Sequence, residues 1–390
     1  MHRSFVSFIF TAFLLTLGVS GFSQTYVDIP YVKDGHEKQI MDIFVPEGVK
    51  APRPVVMFIH GGGWSKGKKG PALRHLRGLL EREQFVIADI NYRLSGDSIF
   101  PAQIFDCKAA VRFLKVHADQ YFIDTCRFGV MGTSAGAHLA TLLGLSNGVH
   151  ELEGRHLGNL EVSSRVYAIV DAFGPTDLIR FDSIFPDSCR RRNTQNKPHS
   201  ASDQLLGCQP LECPDRARFA SPIAYVDDSD IPVQIHHGDM DCVVPPLQSQ
   251  LLYDTLLRHG VDAELYFYEG KGHGGFDERD FRGRLEAFFI EHLNDVQPPC
   301  EKITASTNPN IEELSIKARV QGGYLLLTSG EDLSGMKWSI IDLLGRPVNA
   351  GTILGFKGRI PISFLSPGYY TVFVQAGESV YTGYRRFYVE

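Results

Sequence analysis

The residues best placed to do chemistry are Gly132-Thr133-Ser134-Ala135-Gly136, set between an apolar run, Phe128–Met131, and a segment with helical periodicity from Ala135. A serine at so sharp a strand-to-helix turn is held in strained geometry with its hydroxyl exposed, and small neighbours let the helix pack close. The helix N-terminus would also aim the Ala135 N–H and a positive dipole end at a nearby oxyanion. A hydroxyl is a poor nucleophile at neutral pH, so Ser134 needs a histidine base, itself oriented by a carboxylate.

In sheets that carry such a serine the partners follow in the order serine, acid, histidine. Two later strand candidates end in suitable loops: Val233–His237 runs into Gly238-Asp239-Met240-Asp241, and Glu264–Tyr268 runs into Gly270-Lys271-Gly272-His273-Gly274. Loops past the C-terminal ends of strands are where open α/β sheets gather their sites. His273 is therefore read as the base and Asp241 as its acid, with Asp239 the rival. Among the 14 histidines only His273 combines flanking glycines, chain order and a loop setting. His259 ends a helix, His138 sits one turn behind the serine as a packed residue, and the neighbours His236 and His237 point to opposite faces of a strand.

The third component is His60-Gly61-Gly62-Gly63-Trp64, after the buried run Pro54–Ile59. Consecutive glycines let peptide N–H groups converge on one point, as an acyl-transfer oxyanion requires. Gly62 and Gly63 are assigned as donors with Ala135, and His60 as a brace for the loop. Gly62–Lys69 nearly fits a phosphate loop, but Lys69 stands where Ser or Thr would hold magnesium, so nucleotide binding is rejected. Lys66, Lys68 and Lys69 then read as a solvated loop. No metal or cofactor is called for.

The elements that must position these groups alternate along the chain. Strand candidates are 41–45, 54–60, 85–91, 128–131, 168–173, 233–237 and 264–268; helix candidates are 72–84, 102–118, 135–145, 247–259 and 282–293. Repeated strand–helix–strand order with nearly continuous apolar strands predicts a doubly wound, mostly parallel sheet. Residues 182–218 break the rhythm and read as a lid-like insertion. Residues 294–312 read as a linker. Residues 313–390 carry short alternating strands with Gly and Pro turns, which predicts a small all-β sandwich.

These motifs, with Asn91-Tyr92-Arg93-Leu94-Ser95, His237–Pro245 and Gly272–Phe276, resemble the α/β-hydrolase superfamily. Within it they resemble the esterase/lipase branch near hormone-sensitive-lipase-like and bacterial feruloyl-esterase-like (BD-FAE) carboxylesterases. The resemblance covers about residues 27–293 and implies a serine ester hydrolase whose Trp64 N–H can replace one glycine in the oxyanion site. The tail, Trp338–Val348 with Leu365-Ser366-Pro367-Gly368-Tyr369-Tyr370, resembles the C-terminal sorting domain of the type IX (Por) secretion system. That implies the export machinery as a partner and a secreted or cell-surface location.

Composition is consistent with such a molecule. The 390 residues carry 39 basic and 45 acidic side chains, a net charge of −6, which argues against a nucleic-acid binder. Residues 1–23 read as a secretory signal, with a basic start and an apolar stretch too short to span a bilayer. Seven cysteines in an oxidising compartment leave at least one unpaired, and Cys189, Cys208 and Cys213 share one stretch where a local bridge is expected. Two rival readings remain: a prolyl-peptidase-like or other amidase using the same triad, and a non-catalytic adhesion protein on a hydrolase scaffold.

Overall fold

The computed structural model describes residues 24–189 and 194–295 and, beyond them, strands and adjoining residues between 317 and 389. The signal segment 1–23 and nearly all of the linker lie outside the described residues. The first part holds, in order, β1 (Gln24–Pro30), β2 (Ile40–Val45), β3 (Arg53–Ile59), α1 (Ala72–Glu81), β4 (Val86–Ile90), α2 (Ala102–Val116), β5 (Ile123–Thr133), α3 (Ala135–Leu145) and β6 (Ala168–Ala172). It continues with α4 (Ala201–Leu206), α5 (Pro214–Phe219), β7 (Val233–Gly238), α6 (Leu247–Arg258), β8 (Ala263–Tyr268) and α7 (Glu278–Ile290).

Eight strands form one sheet in the order β1-β2-β4-β3-β5-β6-β7-β8. Pairing is antiparallel for β1 with β2 and for β2 with β4, and parallel from β4 through β8. The parallel strands β4, β6 and β7 are buried at every residue, because helices cover both faces of the sheet. Helix α3 is likewise buried along its whole length, which accounts for its apolar sequence on all sides.

The chain builds outward from β3 to β4 and then crosses to β5 on the other side of β3. This reversal opens a crevice beyond the C-terminal ends of β3 and β5, where Ile59 pairs with Gly132. The glycine loop leaves β3 and the nucleophile turn leaves β5 at that point. Strands β7 and β8, also neighbours, deliver the acid and histidine loops to the same end of the sheet.

The described part of the insertion is folded. The Asp182 carboxylate accepts hydrogen bonds from the Thr194, Gln195 and Asn196 amides at 2.9, 3.0 and 2.7 Å. Ser200 caps α4 by accepting from the Asp203 amide at 3.0 Å. A local bridge joins Cys208 to Cys213, but Cys189 is bonded to Cys242, 53 residues away and next to Asp241. Cys107 is a buried free thiol.

The C-terminal part contains β9 (Lys317–Gln321), β10 (Tyr324–Thr328), β11 (Lys337–Asp342), β12 (Pro347–Thr352), β13 (Gly358–Pro361), β14 (Gly368–Gln375) and β15 (Gly383–Val389). They form two antiparallel sheets, β13-β10-β9 and β12-β11-β14-β15. Leu325, Leu327 and Ile360 from one sheet and Ile340, Val372 and Val374 from the other share one apolar cluster.

Candidate active site

Ser134 has φ 54° and ψ −122°, a left-handed-side conformation that a non-glycine residue holds only under constraint. Its amide donates to the Ala172 carbonyl on β6 at 2.8 Å. The turn is closed so tightly that a Cβ on Gly132 would lie 2.1 Å from the Gly136 carbonyl oxygen. A Cβ on Gly136 would lie 2.1 Å from that of Ile59. Both glycines are therefore required by close backbone approach, and the result is a helix N-terminus set directly behind an outward-facing hydroxyl.

The structure brings Ser134, His273 and Asp241 together across 139 and 32 residues of chain. Ser134 Oγ lies 2.9 Å from His273 Nε2, and His273 Nδ1 lies 2.6 Å from Asp241 Oδ2. The carboxylate only accepts, so Nδ1 carries the imidazole hydrogen and Nε2 is left to accept the serine proton. The His273 side chain is 22% exposed while that of Asp241 is fully buried. The Phe173 ring meets the His273 ring edge-on, with centroids 4.7 Å apart, and shields one side of the base.

Asp241 is held by more than its histidine. Oδ1 accepts from the Val243 and Val244 amides at 2.7 and 3.1 Å, and Oδ2 also receives His237 Nε2 at 3.2 Å. Burial pushes this carboxyl up, but the bonds from His237 and His273 outweigh it and hold it well below the usual carboxylate range. Asp239 serves the loops instead of the base. Its Oδ1 accepts from the Gly270 amide at 2.7 Å, tying the acid loop to the histidine loop.

The glycine loop has φ values of 120°, 57° and 55° at Gly62, Gly63 and Trp64. Among the described residues the N–H groups of Gly62, Gly63, Trp64 and Ala135 donate no backbone hydrogen bond outside helices and strands. These four N–H groups are the candidate oxyanion donors, carried by the glycine loop and by the elbow whose Ser134 Cβ and Thr133 carbonyl it approaches at Gly61. His60 braces the loop as its position suggests, bonding the Gly61 carbonyl at 2.8 Å and stacking on Tyr92 at 4.5 Å. Burial lowers its pKa, against the opposing bond to Gly61.

The Asn91-Tyr92-Arg93 run supports the same loop. Tyr92 donates to the His60 carbonyl at 3.1 Å, Asn91 Oδ1 accepts from the Lys69 amide at 2.6 Å, and Arg93 forks onto the buried Asp106. The lysine reading needs one correction. The Lys69 ammonium is clamped between Asp42 and Asp28 at 2.6 and 2.8 Å, so it belongs to the packing of β2 and is not a solvated charge.

Three connections were not legible as pairings in the sequence. Trp64 Nε1–H donates to His138 Nδ1 at 3.2 Å, and His138 Nε2–H donates to the Ala220 carbonyl at 2.6 Å, linking the glycine loop, α3 and the residue that follows α5. Burial keeps His138 neutral by lowering its pKa to about 4, although the Ala220 bond opposes this. The Cys189–Cys242 bridge fastens the insertion to the acid loop, and Ala201 at the start of α4 packs beside Gly63. The insertion is thus a tethered wall of the site. The third connection is His237, whose strand position showed its direction but not its contact with Asp241. Among the described residues no group of three or more His, Cys, Asp or Glu is placed to hold a metal ion.

A mostly parallel sheet with a strained serine turn, a histidine loop and an acid loop at its C-terminal edge defines the α/β-hydrolase class. Within that class the chain belongs to the BD-FAE family, whose profile matches residues 41–256. A solved carbohydrate esterase from gut microbiota, in truncated form, superposes with a TM-score of 0.64 at 30% identity, over 70% of this chain and 97% of that one. A bifunctional GH43-CE protein of Bacteroides eggerthii gives 0.63 at 32% identity, over 69% of this chain and 35% of its own. Among curated proteins, a probable isoprenylcysteine alpha-carbonyl methylesterase of Arabidopsis thaliana is 26% identical over 284 residues, 71% of this chain. The match takes in 58% of that plant protein's length.

Proposed function

We propose that the protein is a serine carboxylesterase. The observation that carries this reading is the continuous relay from Ser134 Oγ through His273 to Asp241, at 2.9 and 2.6 Å. Ser134 Oγ attacks the ester carbonyl while His273 Nε2 takes its proton, and the carbonyl oxygen becomes an oxyanion held by Ala135 and two of the Gly62, Gly63 and Trp64 amides. His273 returns the proton to the departing alcohol. Water, deprotonated by the same nitrogen, then releases the acid from the acyl-enzyme.

For substrate we propose acetyl or feruloyl esters on plant polysaccharide, a reading supported by the carbohydrate-esterase naming of the solved relatives at 30 and 32% identity. We further propose that residues 1–23 direct export and that the C-terminal β-domain, folded as a sandwich, is read by a type IX secretion machinery. Ser134→Ala should lower p-nitrophenyl acetate hydrolysis by roughly 10⁶-fold with an unchanged melting temperature; wild-type activity in that variant overturns the assignment. Activity toward acetylated xylan and feruloyl esters, measured side by side, tests the substrate class. An exported form that retains residues 1–23 would refute the export reading.

A further inference from the structure

Among the described residues four donors stand around the fully buried carboxylate of Asp241, and one of them is the triad histidine. His237, itself fully buried on β7, turns Nε2 toward two oxygens, Asp241 Oδ2 at 3.2 Å and the Val244 carbonyl at 3.1 Å. Both only accept, so Nε2 must carry a hydrogen. Its Nδ1 lies 2.6 Å from Ser249 Oγ on α6, a hydroxyl that can donate to it. Each polar atom of the ring is thereby satisfied with the imidazole neutral, which removes the usual penalty of burying histidine.

We propose that His237 is a positioning residue for the triad acid, fixing through its Nε2–H the same carboxylate oxygen that orients His273. Oδ2 cannot rotate away from the base without breaking the His237 bond, and Oδ1 cannot follow without leaving the Val243 and Val244 amides. The groups facing this arrangement are Asp241 and His273 on their loops, Ser249 on α6, and Asp171 on β6. The Asp171 carboxyl is buried and bonded by Thr141 Oγ1 at 2.8 Å and the Gly174 amide at 2.7 Å. His236 faces the other side of the sheet, toward Gln234 and Tyr268.

The inference rests on the serine-esterase reading and is tested apart from it. Without the His237 donor, the charge at Oδ2 is shared with one partner fewer and holds the cationic form of the base more strongly. In His237→Phe the acidic limb of kcat/KM should move to higher pH by about half a unit to one unit. kcat should fall about 10- to 100-fold, the worth of one hydrogen bond to a charged group, with KM within about threefold. His237→Gln, whose amide can replace Nε2–H, should restore the limb and most of the rate. A role in packing alone would lower the melting temperature and leave the limb in place, and that result overturns the proposal.

Should His237→Phe fail to fold, imidazole ¹⁵N NMR of the wild-type protein decides. The neutral ring should be the Nε2–H tautomer, and an Nδ1–H ring would refute the bond. If Ser134→Ala keeps activity, the triad reading fails first. If it is inactive while His237→Phe keeps the wild-type limb, only the present inference fails.

Discussion

Replacing Asp241 with asparagine tests how the acid loop works and separates it from its neighbour Asp239. Oδ1 of Asp241 is engaged by the Val243 and Val244 amides at 2.7 and 3.1 Å, so the substituted amide must keep its oxygen there. Its NH₂ then occupies the Oδ2 position and faces His273 Nδ1 as a donor, while His237 Nε2–H keeps only the Val244 carbonyl at 3.1 Å. The His273 proton is forced onto Nε2, 2.9 Å from Ser134 Oγ, where it can no longer accept. The flipped amide would instead set NH₂ against two backbone N–H groups, at a cost of about 1–3 kcal/mol for unmet donors. The wrong tautomer lowers kcat by about 10⁴-fold, or roughly 5 kcal/mol in the barrier. In Asp239→Asn the amide oxygen still accepts from the Gly270 N–H, so activity should stay within about threefold. Initial rates with p-nitrophenyl acetate, normalised to folded protein by circular dichroism, compare the two. A greater loss in Asp239→Asn, or less than a tenfold loss in Asp241→Asn, refutes the reasoning.

The Cys189–Cys242 and Cys208–Cys213 disulfides should differ in weight. Loop-closure entropy gives about 4 kcal/mol for the bridge spanning 53 residues and about 2 kcal/mol for the one spanning 5, so Cys189→Ser/Cys242→Ser should lose more in urea unfolding than Cys208→Ser/Cys213→Ser. Only the former pair should also lower kcat, because Cys242 adjoins Asp241. Stability should depend on pH well above the carboxylate range. Burial lowers His75 and His138 to about 4 and His236 to about 3, from 6.5. At these sites the unfolded chain binds more protons below pH 6.5, and stability falls by about 2 kcal/mol per histidine at pH 5. Burial raises Asp89 to about 6 and Asp230 to about 7, so these carboxyls take up protons in the folded state first and together return about 4 kcal/mol over the same interval. Urea unfolding at pH 8 and pH 5 reads the signs site by site: His138→Gln should lose less stability over that interval than the wild type and Asp230→Asn more, and the reverse order would contradict these assignments.

Much of the catalytic unit was legible because buried parallel strands leave continuous apolar runs and their loops carry glycine. Strands β2, β3, β4, β6, β7 and β8 and helices α1, α2, α3 and α6 fall within three residues of their predicted limits, while β5 begins five residues before Phe128 and α7 four residues before Arg282. Strand β1 escaped because it is an exposed edge, its burial pattern showing no residue fully inside. Helices α4 and α5 have only six residues each, too few to show a period, and draw their stability from a cap and tertiary contacts. In the site, motif and chain order brought out Ser134, His273 and the glycine loop. The contacts of His237 and the partner of Cys189 depend on how β7 and the insertion pack, which one strand or one cysteine spacing does not encode.

Activation of Ser134 as a nucleophile by His273 is tested most directly by intact-mass and peptide analysis after treatment with a fluorophosphonate probe. One covalent adduct per chain should form on the peptide containing Ser134, in step with loss of esterase activity, and none in Ser134→Ala. Inactivation with the label on another residue, or full esterase activity after saturating treatment with no adduct at Ser134, would contradict it.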